Sequence, residues 1–207
     1  MEKLCKKIHI LTNKLPTHSF PFDESKIPKN GIYILFEKKE KAHGTNRIVR
    51  VGTHTGKDQL PSRLKQHFLM ENKDRSIFRK NIGRCILNKN KDPYLKIWEI
   101  DLTTRENKEN YKNKIKKEKQ KLLEKEISKY LQNNFSFVVI QIDNKEERLD
   151  LESKIISTVS LCKECFPSKN WLGNYSTKEK IKESGLWLVN ELYKTPLKEE
   201  DFEKLQN

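Results

Sequence analysis

The chain has 207 residues, of which 34% are hydrophobic and 35% charged. That is enough apolar material for a compact core, yet no run nears the roughly 18 consecutive apolar residues of a membrane-spanning helix. Lys and Arg outnumber Asp and Glu by 43 to 29, a net charge of +14, which favours a polyanionic partner through counterion release and puts nucleic acid first. Residues 1–30 contain Pro16, Pro21 and Pro28 and read as an irregular lead-in, with one short helix or strand near Ile8 to Leu11. Gly31 to Phe36 and Arg47 to Gly52 are apolar, β-rich runs separated by a charged turn containing Gly44, which predicts a hairpin. Leu60, Leu64 and Phe68 then recur at helical spacing behind Pro61, predicting a helix whose opening turn tolerates the proline.

A second helical pattern begins at Ser76, a cap rather than a nucleophile. It runs through Ile77, Phe78, Ile82, Cys85 and Ile86 and leaves Arg79, Lys80 and Arg84 on a cationic outer face. After Pro93 the stretch Tyr94 to Ile100 favours no single state. Asn110 to Leu131 has only a thin seam of Ile115, Leu122, Leu123 and Ile127, which predicts a protruding helix. Phe135 to Ile142 is the clearest strand, and Glu146 to Leu161 is an amphipathic helix. Loop and then helix follow from Cys162. Without repeats or a Gly/Ser linker, this order predicts one α/β (α+β) domain over 31–175, with inserted helices over about 76–131 and a C-terminal helical extension over 176–207.

Two groupings carry chemistry. On the helix after the third strand, Glu152 falls among Leu151, Ile155, Ile156 and Val159. A carboxylate there must be paired, protonated or bound to metal, and Arg148, one turn earlier, is the obvious ionic partner. Arg63 and His67 are four residues apart and share one side of their helix. That pair is either surface decoration or a guanidinium fork beside an imidazole, as a scissile phosphate requires. Cys162-Lys163-Glu164-Cys165 is a lone CxxC with no second ligand pair nearby in sequence, and neither His54 nor Cys85 is readily recruited to it. His43 and His54 bracket the second strand as turn residues, and Trp171, Trp187 and Tyr193 are expected to close a small core. Four scattered cysteines and a basic start without an apolar run or cleavage site fit a reducing, cytoplasmic setting.

The order of these features resembles the GIY-YIG nuclease family. Gly31-Ile32-Tyr33 matches the first signature literally. Arg50-Val51-Gly52 stands where the family has Tyr-Ile-Gly or Tyr-Val-Gly, so Arg50 occupies a tyrosine position. Arg63 and His67 match the family's arginine and the polar residue one turn later, Glu152 its metal-binding glutamate, and Asn174, or else Asn170, its closing asparagine. The resemblance implies a small central antiparallel three-stranded sheet flanked by helices, acting as a magnesium-dependent (or manganese-dependent) DNA endonuclease. In that scheme Tyr33 deprotonates water and Arg63 holds the phosphate. His67 hydrogen-bonds to Tyr33 or shuttles its proton, Glu152 anchors the metal, and Asn174 positions Glu152 or substrate. Arg50, His54, Arg79, Lys80 and Arg84 would bind substrate. A phenol, with an ordinary pKa of about 10, serves as base only beside cations that lower it. The rival readings are a non-catalytic module that binds DNA or RNA on the same scaffold and a zinc-stabilised interaction protein built on Cys162 and Cys165.

Overall fold

The computed structural model describes residues 1–206. Strands β2 (Ile32–Ala42) and β3 (Thr45–Gly52) form the predicted hairpin. Their two-residue turn places His43 at φ 53° and Gly44 at φ 76°, the left-handed pair that matches strand twist. Strand β4 (Phe135–Ile140) pairs with β2, and a two-residue strand, β1 (His18–Ser19), extends the other edge of β4. The sheet is therefore antiparallel in the order β1-β4-β2-β3: the three expected strands plus a short fourth.

Register decides where Arg50 points. Leu35 pairs with Arg50 but Phe36 pairs with Ile48, so Val49 is an extra residue, a β-bulge. Simple alternation, which puts Arg50 on the face opposite Val49, fails here. Arg50 joins Tyr33, Leu35 and Val49 on one face, where its guanidinium lies 5.0 Å from the Phe78 ring centre.

That face is covered by helices α2 (Leu60–Phe68), α3 (Ile77–Lys89) and, further along, α6 (Lys117–Asn134). The opposite face, carrying Ile32, Ile34, Ile48, Val51 and Val138, is covered by α1 (Glu2–Lys14) and α7 (Lys145–Leu161) together with the C-terminal residues from Leu186. The lead-in is thus not irregular. α1 buries Cys5, Ile8, His9 and Thr12, and the two polar members satisfy themselves on the preceding turn, Thr12 Oγ1 donating to the Ile8 carbonyl at 2.8 Å.

The insertion also differs from expectation. Residues 94–100 contain a one-turn helix, α4 (Leu95–Trp98), and the charged stretch beyond divides into α5 (Arg105–Tyr111) and α6. α6 does not protrude: Leu123, Glu124, Ile127, Ser128 and Leu131 are buried. Glu37, buried beneath the sheet, accepts the indole N–H of Trp171 and of Trp187, each at 2.8 Å, and the hydroxyl of Tyr130. Both tryptophans close the core as expected, whereas Tyr193 is 43% exposed. The chain ends with α8 (Glu179–Ser184) and α9 (Glu199–Lys204).

Candidate active site

Tyr33 and Gly52 face each other across the β2–β3 ladder. A Cβ on Gly52 would sit 2.2 Å from the Tyr33 hydroxyl, so the second glycine signature exists to let the phenol of the first lie across it. The hydroxyl meets His67 Nε2 at 2.8 Å, and His67 Nδ1 meets Ser76 Oγ at 2.7 Å. Ser76 is the predicted cap of α3, accepting from the Arg79 amide. A strand, a helix and a helix cap thus hold one polar chain inside the core, where Tyr33 is only 1% exposed and His67 is fully buried. Burial, aided by the nearby charges of Arg63, Arg50 and Arg79, pushes the imidazole well below its ordinary pKa, so it is neutral at physiological pH.

Beside this chain lies a cleft of about 490 Å³ whose polar wall is formed by Arg50, Arg63, Asn81, Glu152, Asn190 and Glu191. An adjoining hollow of about 410 Å³ shares Arg63 and Glu152 and continues past Thr53, His54 and Gln66. Arg63 projects from α2 and is steadied by Gln66 Oε1 at 2.8 Å and the Arg75 carbonyl at 3.1 Å. Arg50 donates Nη1 to the Trp187 carbonyl, while its buried Nε has no hydrogen-bond partner among the described residues. The buried Asn81 Nδ2 is likewise unpartnered.

Glu152 is not tied to Arg148. That guanidinium instead donates to the carbonyls of Ile142, Asp143 and His54, and among the described residues Glu152 has no ion-pair partner. Its carboxyl is pushed above the ordinary range by burial and by Glu191, against the opposing pull of Arg50, the Thr53 amide and Arg63. The same two arginines act on His67 and line the cleft with Glu152. His54 lines the adjoining hollow with Nδ1 held to the Gly56 carbonyl, and burial lowers its pKa.

Several expected site residues lie elsewhere. Asn174 donates Nδ2 to the carbonyls of Ser168 and Lys169 at 3.0 and 3.1 Å. It braces a loop and is not part of the cleft wall, which Asn190 joins from farther along the chain. Arg79 is fully buried, paired with Glu124 at 2.7 Å. Lys80 Nζ donates to the Glu99 carbonyl and Arg84 pairs with the Glu99 carboxylate at 2.6 Å. The face of α3 that sequence reads as outer is covered by α6 and the turn after α4, so its cations are paired with internal partners. Asn81, Asn190 and Glu191 carried no motif; only their convergence in space marks them.

The fold and site together define an α/β domain with a tyrosine laid across a hairpin glycine and an arginine–glutamate cleft beside it. A family model described as the GIY-YIG domain matches residues 11–206, and the chain belongs to the GIY-YIG family, whose members are typically nucleases. No curated protein and no solved structure is significantly similar to it. Among the described residues no helix is long and apolar enough to cross a membrane.

Proposed function

We propose that this chain is a metal-dependent endonuclease that hydrolyses phosphodiester bonds in DNA. The observation that carries the reading is Glu152: a carboxylate on an apolar helix face, free of any ion pair among the described residues, and facing a cleft shared with Arg50 and Arg63. Magnesium takes oxygen ligands and needs only one or two carboxylates, and Glu152 fits that role, while Glu191 beside it is paired with Lys194. Magnesium or manganese bound there would supply Lewis acidity for the phosphate and the leaving oxygen.

The chain's own residues account for the rest. Arg63 and Arg50 neutralise the phosphate from the cleft wall, Arg63 as a fork held by Gln66 and the Arg75 carbonyl. Tyr33, once its own proton has left to solvent, takes the proton of the attacking water. His67, which burial holds in its neutral form, fixes the phenol by one hydrogen bond and is fixed in turn by Ser76. Asn190 replaces Asn174 as the amide that positions Glu152 or substrate, and His54 contacts the strand in the adjoining hollow.

The burial of Tyr33 favours one alternative, a non-catalytic nucleic-acid-binding module. Plasmid nicking with magnesium separates the two. The wild type is expected to cut, while Tyr33→Phe and Glu152→Gln lose at least about 100-fold, the scale of a general base or metal anchor. Salt-sensitive DNA binding combined with equal, metal-independent rates in all three proteins would leave only the binding module.

A further inference from the structure

Away from the cleft, where the hairpin turn meets the N-terminal helix and the loop after α7, soft ligands converge. The donor atoms of Cys5, His9, His43 and Cys165 all lie within 4.8 Å of one another. Cys5 Sγ is 3.4 Å from Cys165 Sγ, and His43 Nε2 is 3.3 Å from Cys165 Sγ and 3.5 Å from Cys162 Sγ. Cys162, the first residue of the CxxC pair, joins the group through His43. Cys5, Cys162 and Cys165 are each at most 6% exposed, and the His43 side chain is 1% exposed.

His9 is otherwise occupied. Its Nδ1 donates to the Cys5 carbonyl at 2.9 Å and its Nε2 accepts from the Ile48 amide at 3.2 Å. His43 has no such ties: Nε2 faces only thiols, and Nδ1 is 3.1 Å from the Glu164 carboxylate, at ion-pair distance but without hydrogen-bond alignment. A carboxylate behind the outer nitrogen is the usual companion of a metal-bound histidine, fixing which nitrogen is free to coordinate. Tetrahedral zinc, with Zn–S about 2.3 Å and Zn–N about 2.0–2.1 Å, spaces its ligands about 3.8 Å apart for sulfur pairs and about 3.5 Å for sulfur–nitrogen. The observed separations, 3.3 to 3.5 Å, are close to that.

We infer that Cys5, His43, Cys162 and Cys165 form a structural zinc site. The Cys162–Cys165 pair supplies the ligand knuckle, and the missing half of the set comes from the first helix and the hairpin turn. Four buried protein ligands make it closed and structural, in contrast to the open centre a hydrolase needs. The ion ties α1 to the end of α7, the helix that carries Glu152.

The full-length protein purified without chelators is expected to contain one zinc per chain, released when its thiols are blocked with an organomercurial. Apo protein titrated with cobalt(II) should develop thiolate-to-cobalt charge transfer and tetrahedral d–d bands, and both His43→Ala and Cys162→Ser should lose them while His9→Gln keeps them. Because a cysteine variant can fail to fold, Glu164→Gln, at a side chain 62% exposed, gives a second test: zinc affinity should fall about 10- to 100-fold with the fold retained. Zinc-free protein that ignores cobalt, or a chain two hydrogens lighter through a Cys5–Cys165 disulfide, would overturn the site. Unchanged affinity in Glu164→Gln, or loss in His9→Gln with retention in His43→Ala, would overturn this ligand set.

Discussion

At Glu152, burial and guanidinium charge pull ionisation in opposite directions, and burial acts more strongly. The folded chain therefore holds this proton to higher pH than the unfolded chain does. Stability from that preference is present below the unfolded pKa and is lost as pH rises through the folded one. Glu152→Gln removes the loss. It should melt higher than wild type at neutral pH while cleavage is lost, the usual trade of activity for stability at an active site. Below about pH 4, where an ordinary carboxyl is protonated, the two melting curves should converge. A variant less stable than wild type at neutral pH would mean that the carboxylate has a structural partner. Arg50 belongs to the same residue-scale logic: the bulge at Val49 turns it towards Tyr33, and its contacts with Phe78 and the Trp187 carbonyl hold it there.

Elements are joined by buried charges as much as by apolar contact. Arg79 of α3 donates to the Glu124 carboxylate, to the Glu124 carbonyl and to Ser128 of α6, and Glu124 in turn accepts the Lys73 amide at 2.6 Å. Removing one partner leaves the other charge uncompensated in the core, so Glu124→Ala should cost about 3–5 kcal/mol in urea unfolding, and the paired change Arg79→Met with Glu124→Leu much less. Equal losses in the single and paired variants would show that packing, rather than charge, dominates there. This pair also shows where sequence reading stops. Strands β2, β3 and β4 were legible as short apolar runs rich in β-branched and aromatic residues, and helices α2, α3 and α7 by their helical spacing. The buried side of α1 was not, since half of it is His9 and Thr12, which register as polar although both are satisfied locally. Arg79, Lys80 and Arg84 look solvated because an apolar stripe identifies only the first face of a helix to be covered, and α3 is covered on several. Tyr33, Arg63, His67 and Glu152 could be found in order along the chain, whereas Asn190 and the partners of Cys162 and Cys165 are set by topology alone.

For the whole molecule the +14 charge is not spread as composition suggests. Arg47, Arg79 and Arg84 are consumed in ion pairs, and Arg148 by backbone carbonyls, so lysine carries most of the exposed cationic charge. Lys108, Lys112 and Lys117 are exposed along α5 and the start of α6. Lys108 lines a hollow with Arg75, Glu71 and Asp74, and the Arg75 carbonyl steadies Arg63 at the cleft, so this segment lies next to the proposed catalytic wall. On a duplex each phosphate contact contributes a slope of about −0.9 to log Kobs against log salt. Replacing the three lysines by alanine should therefore flatten the slope by up to about 2.7 and weaken binding to all sequences alike. The cutting rate of bound DNA should be unaffected, since none of the three lines the cleft. Glu152→Gln should do the reverse, abolishing cutting and leaving the slope intact. An unchanged slope in the triple variant would move the DNA path off the inserted helices and onto another face, with the cleft chemistry still standing.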